Sequence, residues 1–231
     1  MESRFKIILM LVITLNILII GYFYTLINVT PSPQLLFEKT THAHYMRKAQ
    51  SIDQRSILFI GSSSIQGLNV SQITHDGINL GIGGERILGL IDRVQEYNQL
   101  PQSRLIVIAA GFNDLCRSNT STMSKQFNLL IQNLSNIPVI ISALQPATNL
   151  KVCDGLANKI IQFNQYLQDT CHTIQQCYFV DLPKILANQN KPVFEADAIH
   201  LSKFGYQLWQ AELASKIKQA LNTIQKRNSI L

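Results

Sequence analysis

Charged residues are scarce in this sequence. Asp, Glu, Lys and Arg make up 15% of its 231 residues, and hydrophobic residues make up 46%, whereas a soluble domain usually carries about a quarter charged residues. The net charge of +6 is also spread out: residues 1–55 hold six Lys and Arg against three Asp and Glu, the rest holds fourteen against eleven, and the longest basic run is Lys226-Arg227. Nucleic-acid binding needs a concentrated basic patch. We therefore expect no nucleic-acid partner.

Sequence patterns for bound zinc and for bound phosphate are missing as well. The four cysteines never stand in C-x-x-C spacing, which argues against a zinc site. Gly81-Ile82-Gly83 is followed at once by Gly84 and then Glu85, so it does not have the G-x-G-x-x-G spacing of a dinucleotide-binding loop. We find no internal repeat and no low-complexity segment.

One long apolar run stands near the N-terminus. Residues 7–27 contain no charged side chain and are dominated by Ile and Leu. As a helix, this run is long enough to cross the roughly 30 Å hydrocarbon core of a bilayer. A cleaved secretory signal is the alternative, but the apolar part of a signal is usually about 7–15 residues long and is followed by an Ala-x-Ala site. This run is longer and no such site follows it, so we expect an uncleaved signal-anchor.

The charges that flank the run predict its orientation. Arg4 and Lys6 precede it, and the next basic residue is Lys39. Basic residues are retained on the cytoplasmic side of a membrane, so the remainder of the chain is expected in the periplasm or outside the cell. Pro31-Ser32-Pro33 would end the membrane helix. We predict a cytoplasmic stub and membrane helix over residues 1–28, a linker or lead-in over 29–55, and one sizeable folded domain over 56–231.

From Ser56 onward, short apolar runs alternate with segments of helical periodicity. Such alternation predicts parallel strands connected by helices that cover both faces of the sheet. We therefore expect a three-layer α/β/α sandwich with a mostly parallel five-stranded sheet, and we expect its first strand to be the central one. The predicted strands are Ser56–Ile60, Gly77–Leu80, Leu105–Ala110, Val139–Ser142 and Tyr178–Asp181.

Polar and glycine-rich segments follow three of these strands, and a fourth precedes the last predicted helix. Ligands bind outside the carboxyl ends of the strands in such sheets, so we expect the four segments to meet at one edge. They are Gly61-Ser62-Ser63-Ser64, residues 79–84, Gly111-Phe112-Asn113-Asp114 and Asp197-Ala198-Ile199-His200.

The residue types in these segments suit acyl transfer. A serine hydroxyl becomes a nucleophile when a base accepts its proton, and His200 is a candidate base that Asp197 can orient. The backbone N–H groups of Ser63 and Gly84 and the amide of Asn113 are candidate donors to an oxyanion. Each segment alone has a simpler interpretation, as a turn or as a helix cap. Their occurrence together at one predicted edge favours the catalytic interpretation.

The four segments resemble the sequence blocks of the SGNH (GDSL-type) hydrolases, which are serine esterases, lipases, thioesterases and carbohydrate acetylesterases. Residues 59–63 are similar to the first block, a strand that ends in Gly-Asp-Ser, except that Ser62 stands where many members have aspartate. Residues 79–84, 111–114 and 197–200 resemble the second, third and fifth blocks, in the family's order.

This resemblance covers residues 56 to about 220 and implies a flavodoxin-like fold and a serine hydrolase that needs no cofactor or metal. Placing Gly61 on the family's glycine selects Ser63 as the nucleophile over Ser62 and Ser64. The resemblance further implies that His200 is the base, that Asp197 orients it, and that the oxyanion donors are Ser63, Gly84 and Asn113.

The four cysteines lie in the part of the chain that we expect to be exported, where disulfides form. Cys171 and Cys177 could tie a helix end to the next strand, and Cys116 and Cys153 could join two loops at one edge. Three pairings are possible, and free buried thiols are the alternative.

The leading hypothesis is a membrane-anchored serine hydrolase that cleaves an ester through an acyl-serine intermediate. The substrate would be an O-acetylated glycan, a lipid acyl ester or a thioester. The same residues would make an acyltransferase if a sugar hydroxyl replaced water. A module that binds a glycan or an acyl group without cleaving it is the alternative from a different class. We make no prediction of oligomeric state.

Overall fold

The computed structural model describes residues 2–27, 32–134, 136–146 and 153–229. The chain divides into two compact units with the boundary between His44 and Tyr45. In the described residues, the helices are α1 (Glu2–Ile27), α2 (Pro33–Ala49), α3 (Ser63–Gln66), α4 (Ile87–Glu96), α5 (Thr120–Asn133), α6 (Leu156–Thr173), α7 (Leu182–Leu186) and α8 (Lys203–Asn228), and the strands are β1 (Ile57–Gly61), β2 (Gly77–Asn79), β3 (Leu105–Ala109), β4 (Val139–Ser142) and β5 (Cys177–Val180).

Residues 2–24 of the N-terminal helix α1 expose their apolar side chains on all sides. Within the described part of the chain, Glu2–Tyr24 is the one stretch that has the length and apolarity of a membrane span, which a signal sequence near the N-terminus also has. Two of its polar side chains bond within the helix: Asn16 Nδ2 donates to the Val12 carbonyl at 2.8 Å, and Thr14 Oγ1 donates to the Met10 carbonyl at 3.0 Å. Such internal pairing lowers the cost of placing polar groups in lipid.

Helix α2 occupies most of the range that was predicted as a linker. Its last turns belong to the second compact unit, where Tyr45 and Ala49 are buried. They join Ile52 in the same apolar cluster as Leu80 and Ile87. The segment that precedes β1 therefore packs against the sheet domain.

All five strands are parallel, in the order β2-β1-β3-β4-β5. The predicted α/β sandwich is confirmed, but the expectation that β1 is central was wrong. β3 is the central strand, because only the short strand β2 pairs on the outer side of β1 while β4 and β5 extend the sheet beyond β3. The chain reverses its direction across the sheet between β1 and β3, and ligands bind at such switch points.

The apolar runs of the strands are continuous because helices cover both faces of the sheet. On one face of the sheet, the end of α2 and the helices α4, α5 and α6 pack against residues such as Leu58, Ile106 and Ile141. The other face packs α3, α7 and α8 against residues such as Phe59 and Val107. Helix α8 contributes the fully buried Trp209, whose indole Nε1 donates to Ser142 Oγ at 3.1 Å.

Two disulfides lie in the sheet domain. Cys171 at the end of α6 is bonded to Cys177 at the start of β5, with their Cα atoms 5.3 Å apart. Cys116, shortly after β3, is bonded to Cys153, shortly before α6, with their Cα atoms 5.7 Å apart. No described cysteine is free.

Candidate active site

The three consecutive serines after β1 have different surroundings. Ser62 and Ser64 are buried, whereas Ser63 is half-exposed at the first position of α3. The strand ends at Gly61, whose φ is +149° and where a Cβ atom would lie 2.0 Å from the Ala109 carbonyl oxygen of β3. Glycine is therefore required where the end of β1 approaches Ala109 so closely. It also allows the chain to turn and present Ser63 at the sheet edge.

Ser63 is hydrogen-bonded to His200, which lies 137 residues later in the sequence. The distance from Ser63 Oγ to His200 Nε2 is 3.0 Å, and the distance from His200 Nδ1 to Asp197 Oδ2 is 2.6 Å. With its Nδ1–H donated to the carboxylate, the imidazole has Nε2 free to accept the serine proton. This is the geometry of a nucleophile, a base and an orienting acid.

Asp197 is held in its ionised form by the turn that carries it. Its Oδ1 accepts the backbone N–H groups of Ile199 and His200, both at 2.9 Å. Ala198 makes this tight turn possible with a φ of +58°. The hydrogen bond from His200, followed by the two backbone N–H groups, lowers the pKa of Asp197 to about 2.

Residues 79–85, which we call the glycine loop, bring Gly84 to the same edge. Glu85 N donates to the Ile82 carbonyl at 3.2 Å, and Gly84 has a φ of +76° in this turn, a position that favours glycine. Asn113 Nδ2 donates to the Glu85 carbonyl at 3.0 Å. An amide has two hydrogens, and this bond uses one of them to hold Asn113 against the residue that follows Gly84.

Asp114 supports this arrangement, a role that the sequence analysis did not assign. Its fully buried carboxylate accepts Arg86 Nε at 3.0 Å and the Ile87 N–H at 3.1 Å. Burial raises the pKa of Asp114, while the Ile87 N–H and the Arg86 guanidinium oppose that rise. Asp114 therefore ties the segment after β3 to the start of α4, and its position next to Asn113 was the signal available in the sequence.

Two further side chains hold α3, the helix that begins at Ser63. Asn79 Nδ2 donates to the Ile65 carbonyl at 2.7 Å and to the Leu68 carbonyl at 2.9 Å, while its Oδ1 accepts the Gly81 N–H at 2.9 Å. Tyr206 of α8 donates to the Ser64 carbonyl at 3.1 Å. Asn79 was predicted only as part of a glycine-rich segment, and Tyr206 has no signal in the local sequence.

Gln145 also contacts both sides of the site. Its side chain is buried; Oε1 accepts Ser64 Oγ at 3.4 Å, and Nε2 donates to the Ile199 carbonyl at 3.3 Å. It therefore joins α3 to the turn that carries Asp197 and His200. Neither contact could be read from the sequence, since the partners are 81 and 54 residues away.

This geometry agrees with the family whose sequence model matches the chain. The family model described as GDSL-like Lipase/Acylhydrolase matches residues 62–208, more than half of the chain. The chain belongs to this family. It is a serine ester hydrolase of the GDSL type. No curated protein sequence matches this hydrolase significantly.

Solved structures share the fold of this GDSL-type hydrolase at low sequence identity. A GDSL-like lipase from Bacteroides thetaiotaomicron is 19% identical with a TM-score of 0.65, covering 79% of this chain and 98% of the other. A lipase/acylhydrolase from Enterococcus faecalis is 20% identical with a TM-score of 0.64, covering 71% and 96%. A catalytic mutant of an acetylxylan esterase from Geobacillus stearothermophilus is 15% identical with a TM-score of 0.59, covering 72% and 95%.

Proposed function

We propose that this GDSL-type hydrolase cleaves esters with Ser63 as nucleophile, His200 as general base and acid, and Asp197 as the residue that orients His200. The observation that carries the proposal is the continuous hydrogen-bonded path from Ser63 Oγ through both imidazole nitrogens to the Asp197 carboxylate. Ser62 and Ser64 are poorer candidates because both are buried.

In the first half-reaction, His200 Nε2 takes the proton from Ser63 Oγ as that oxygen attacks the ester carbonyl. The carbonyl oxygen becomes an oxyanion, which the N–H groups of Ser63 and Gly84 and the amide of Asn113 stabilise; losing one such donor typically costs about 3–4 kcal/mol. The imidazolium then protonates the leaving alcohol, and the acyl group remains on Ser63.

In the second half-reaction, water replaces the alcohol. His200 Nε2 takes a proton from the water as its oxygen attacks the acyl carbon, and then returns a proton to Ser63 Oγ when the acid leaves. Asp197 stays ionised throughout and stabilises the imidazolium that forms twice in the cycle. If a sugar hydroxyl enters instead of water, the same steps produce acyl transfer.

For the substrate, an O-acetylated glycan is our first candidate, ahead of a lipid acyl ester or a thioester. The side chains of Asp197 and His200 are 46% and 44% exposed, so an ester can reach the site while most of a large polar carrier stays in solvent. The similarity of fold to an acetylxylan esterase supports the same choice.

We place the hydrolase on the outer side of the cytoplasmic membrane, held by α1. Arg4 and Lys6 before the apolar segment favour a cytoplasmic N-terminus, and the two disulfides favour an oxidising compartment. Alkaline carbonate extraction of membranes should leave the full-length chain in the pellet. Quantitative release of the intact chain would contradict a spanning helix.

Labelling with a fluorophosphonate tests the nucleophile. The wild-type chain should be labelled covalently, and Ser63→Ala should lose both labelling and ester hydrolysis, whereas Ser71→Ala, at an exposed serine after α3, should retain them. Undiminished labelling of Ser63→Ala would overturn the assignment.

A panel of acetylated xylan, p-nitrophenyl acetate, p-nitrophenyl palmitate and acyl thioesters then ranks the substrate classes. Products formed with added sugar acceptors report acyl transfer.

A further inference from the structure

The last turns of α2 donate hydrogen bonds to the glycine loop. Tyr45 Oη donates to the Gly81 carbonyl at 2.5 Å, and Lys48 Nζ donates to the Asn79 carbonyl. Tyr45 and Gly81 are buried, so the first bond lies in the interior of the sheet domain, and the second bond is half-buried. They come from a segment that precedes both the predicted domain and the part of the chain that the family model matches, residues 62–208.

The two donors are themselves held in place by packing. Tyr45 belongs to the core cluster that includes Ala49, Ile52 and Ile87. The Lys48 ammonium lies 5.2 Å from the centre of the Tyr45 ring, and the Arg93 guanidinium lies 5.4 Å from it. Both distances are within the range of cation–π contact. Burial, followed by the charge of Arg93, lowers the pKa of Lys48.

Arg93 extends this support to the residue that follows Gly84. Its guanidinium forms two bonds with the Glu85 carboxylate, Nε to Oε1 at 2.8 Å and Nη2 to Oε2 at 2.5 Å, and both side chains are at most 9% exposed. The glycine loop is thus fixed at its start by Tyr45 and Lys48 and at its end by Arg93 and Asn113.

We propose that Tyr45 and Lys48 are positioning residues that hold the glycine loop in the conformation in which the Gly84 N–H meets the oxyanion. The proposal rests on the proposed function, because it assigns Gly84 to the oxyanion site. Its physical basis is that the Gly81 and Asn79 carbonyls lose their partners when these side chains are removed. A buried carbonyl without a partner, such as that of Gly81, is costly, and the loop would relax to satisfy it.

The proposal predicts a loss in the chemical step and not in substrate binding. In the full-length chain, Tyr45→Phe keeps the ring and its contacts with the cations but removes the hydroxyl, and Lys48→Met keeps an apolar stem but removes the donor. We expect each to lower kcat for p-nitrophenyl acetate by about tenfold, less than the roughly 100-fold loss of a whole oxyanion donor, with KM nearly unchanged. Lys48→Arg should restore part of the loss because it restores a donor.

Arg47→Met is the matched control, since Arg47 is an exposed cation between the two positions on the same helix, and it should leave kcat unchanged. Inhibition by a boronic acid, which forms a tetrahedral adduct with the serine, separates positioning from folding. The inhibition constant should rise by the same factor as kcat falls in Tyr45→Phe and Lys48→Met. A fall in thermal midpoint with unchanged kcat and inhibition constant would overturn the proposal and leave these residues a structural role.

Fluorophosphonate labelling distinguishes this failure from failure of the proposed function. If wild-type protein is not labelled at Ser63, the proposed nucleophile is wrong. If wild-type protein is labelled and the Tyr45→Phe and Lys48→Met variants hydrolyse ester at the wild-type rate, the nucleophile stands and the positioning role is wrong.

Discussion

At the scale of single residues, the charge on Asp197 governs how the proposed triad responds to acid. Its carboxylate accepts three hydrogen bonds, from the His200 ring and from two backbone N–H groups. The resulting pKa of about 2 lies below the ordinary value of 3.8. The group therefore stabilises the fold above about pH 4, and this stabilisation is lost as the pH falls towards 2.

Asp197→Asn should reveal this dependence, because the amide does not titrate. The difference in thermal midpoint between wild type and variant should be constant above about pH 4 and should shrink between pH 4 and pH 2. At neutral pH the variant should also lose roughly 100-fold or more in kcat, because the imidazole loses its orienting charge. Asp169→Asn, at an exposed carboxylate on α6, is the control. A midpoint difference that stays constant down to pH 2 would contradict the prediction.

The close contact at Gly61 leads to a prediction about stability at the end of β1. A methyl group there would collide with the Ala109 carbonyl oxygen, which is part of the neighbouring strand and cannot move aside. We expect Gly61→Ala to lower the free energy of unfolding by about 3–5 kcal/mol. Gly155→Ala is the control: Gly155 has a φ of +68° but open space around it, so only about 1 kcal/mol is expected. If urea unfolding shows that both variants lose the same free energy of unfolding, the structure has relieved the collision and the prediction is wrong.

At the scale of elements, α3, the helix that begins at Ser63, depends on side chains from elsewhere in the chain. Four residues are far too few for a helix to be stable by itself. Asn79 from β2 and Tyr206 from α8 bind its carbonyl groups, and Gln145 binds the Ser64 hydroxyl. The position of Ser63 is therefore decided by three side chains from other parts of the sequence.

Replacement of Asn79 should disturb this helix more than any replacement on its surface. Asn79→Ala removes one bond to α3, one to Leu68 just after it and one to Gly81, and we expect it to lower the free energy of unfolding by about 2–3 kcal/mol and kcat by at least tenfold. Asn69→Ala, at an exposed asparagine just after α3, should change either quantity little. Denaturant unfolding and steady-state hydrolysis measure both effects. Wild-type kcat in folded Asn79→Ala would contradict the positioning role.

At the scale of the whole molecule, the two disulfides constrain loops of very different length. Cys116 and Cys153 are separated by 37 residues, and Cys171 and Cys177 by 6. In the chain-entropy account, closing the longer loop contributes about 4 kcal/mol and the shorter one about 2 kcal/mol. The paired replacements Cys116→Ser with Cys153→Ser should therefore cost more stability in chemical denaturation than Cys171→Ser with Cys177→Ser. The reverse order would contradict the entropic account.

Sequence periodicity determined the architecture of this protein because it reports burial directly. Strands covered on both faces must be apolar throughout, as Leu105–Ala109 is, and helices on a sheet must repeat their apolar residues every three or four positions, as α8 does around Trp209. The four polar segments could likewise be assigned to one edge, because parallel strands all end there.

The sequence by itself thus determined the fold class, the edge that carries the site and, through the family resemblance, the candidate triad. Tertiary structure decided that β3 is central, that Ser62 and Ser64 are buried, and that α2 reaches the glycine loop. The physical reason is the sequence separation of the interacting residues. Burial periodicity can be seen in neighbouring residues, whereas the bond from Tyr45 to Gly81 joins residues 36 positions apart. Such a bond exists only once the sheet has brought the two residues together.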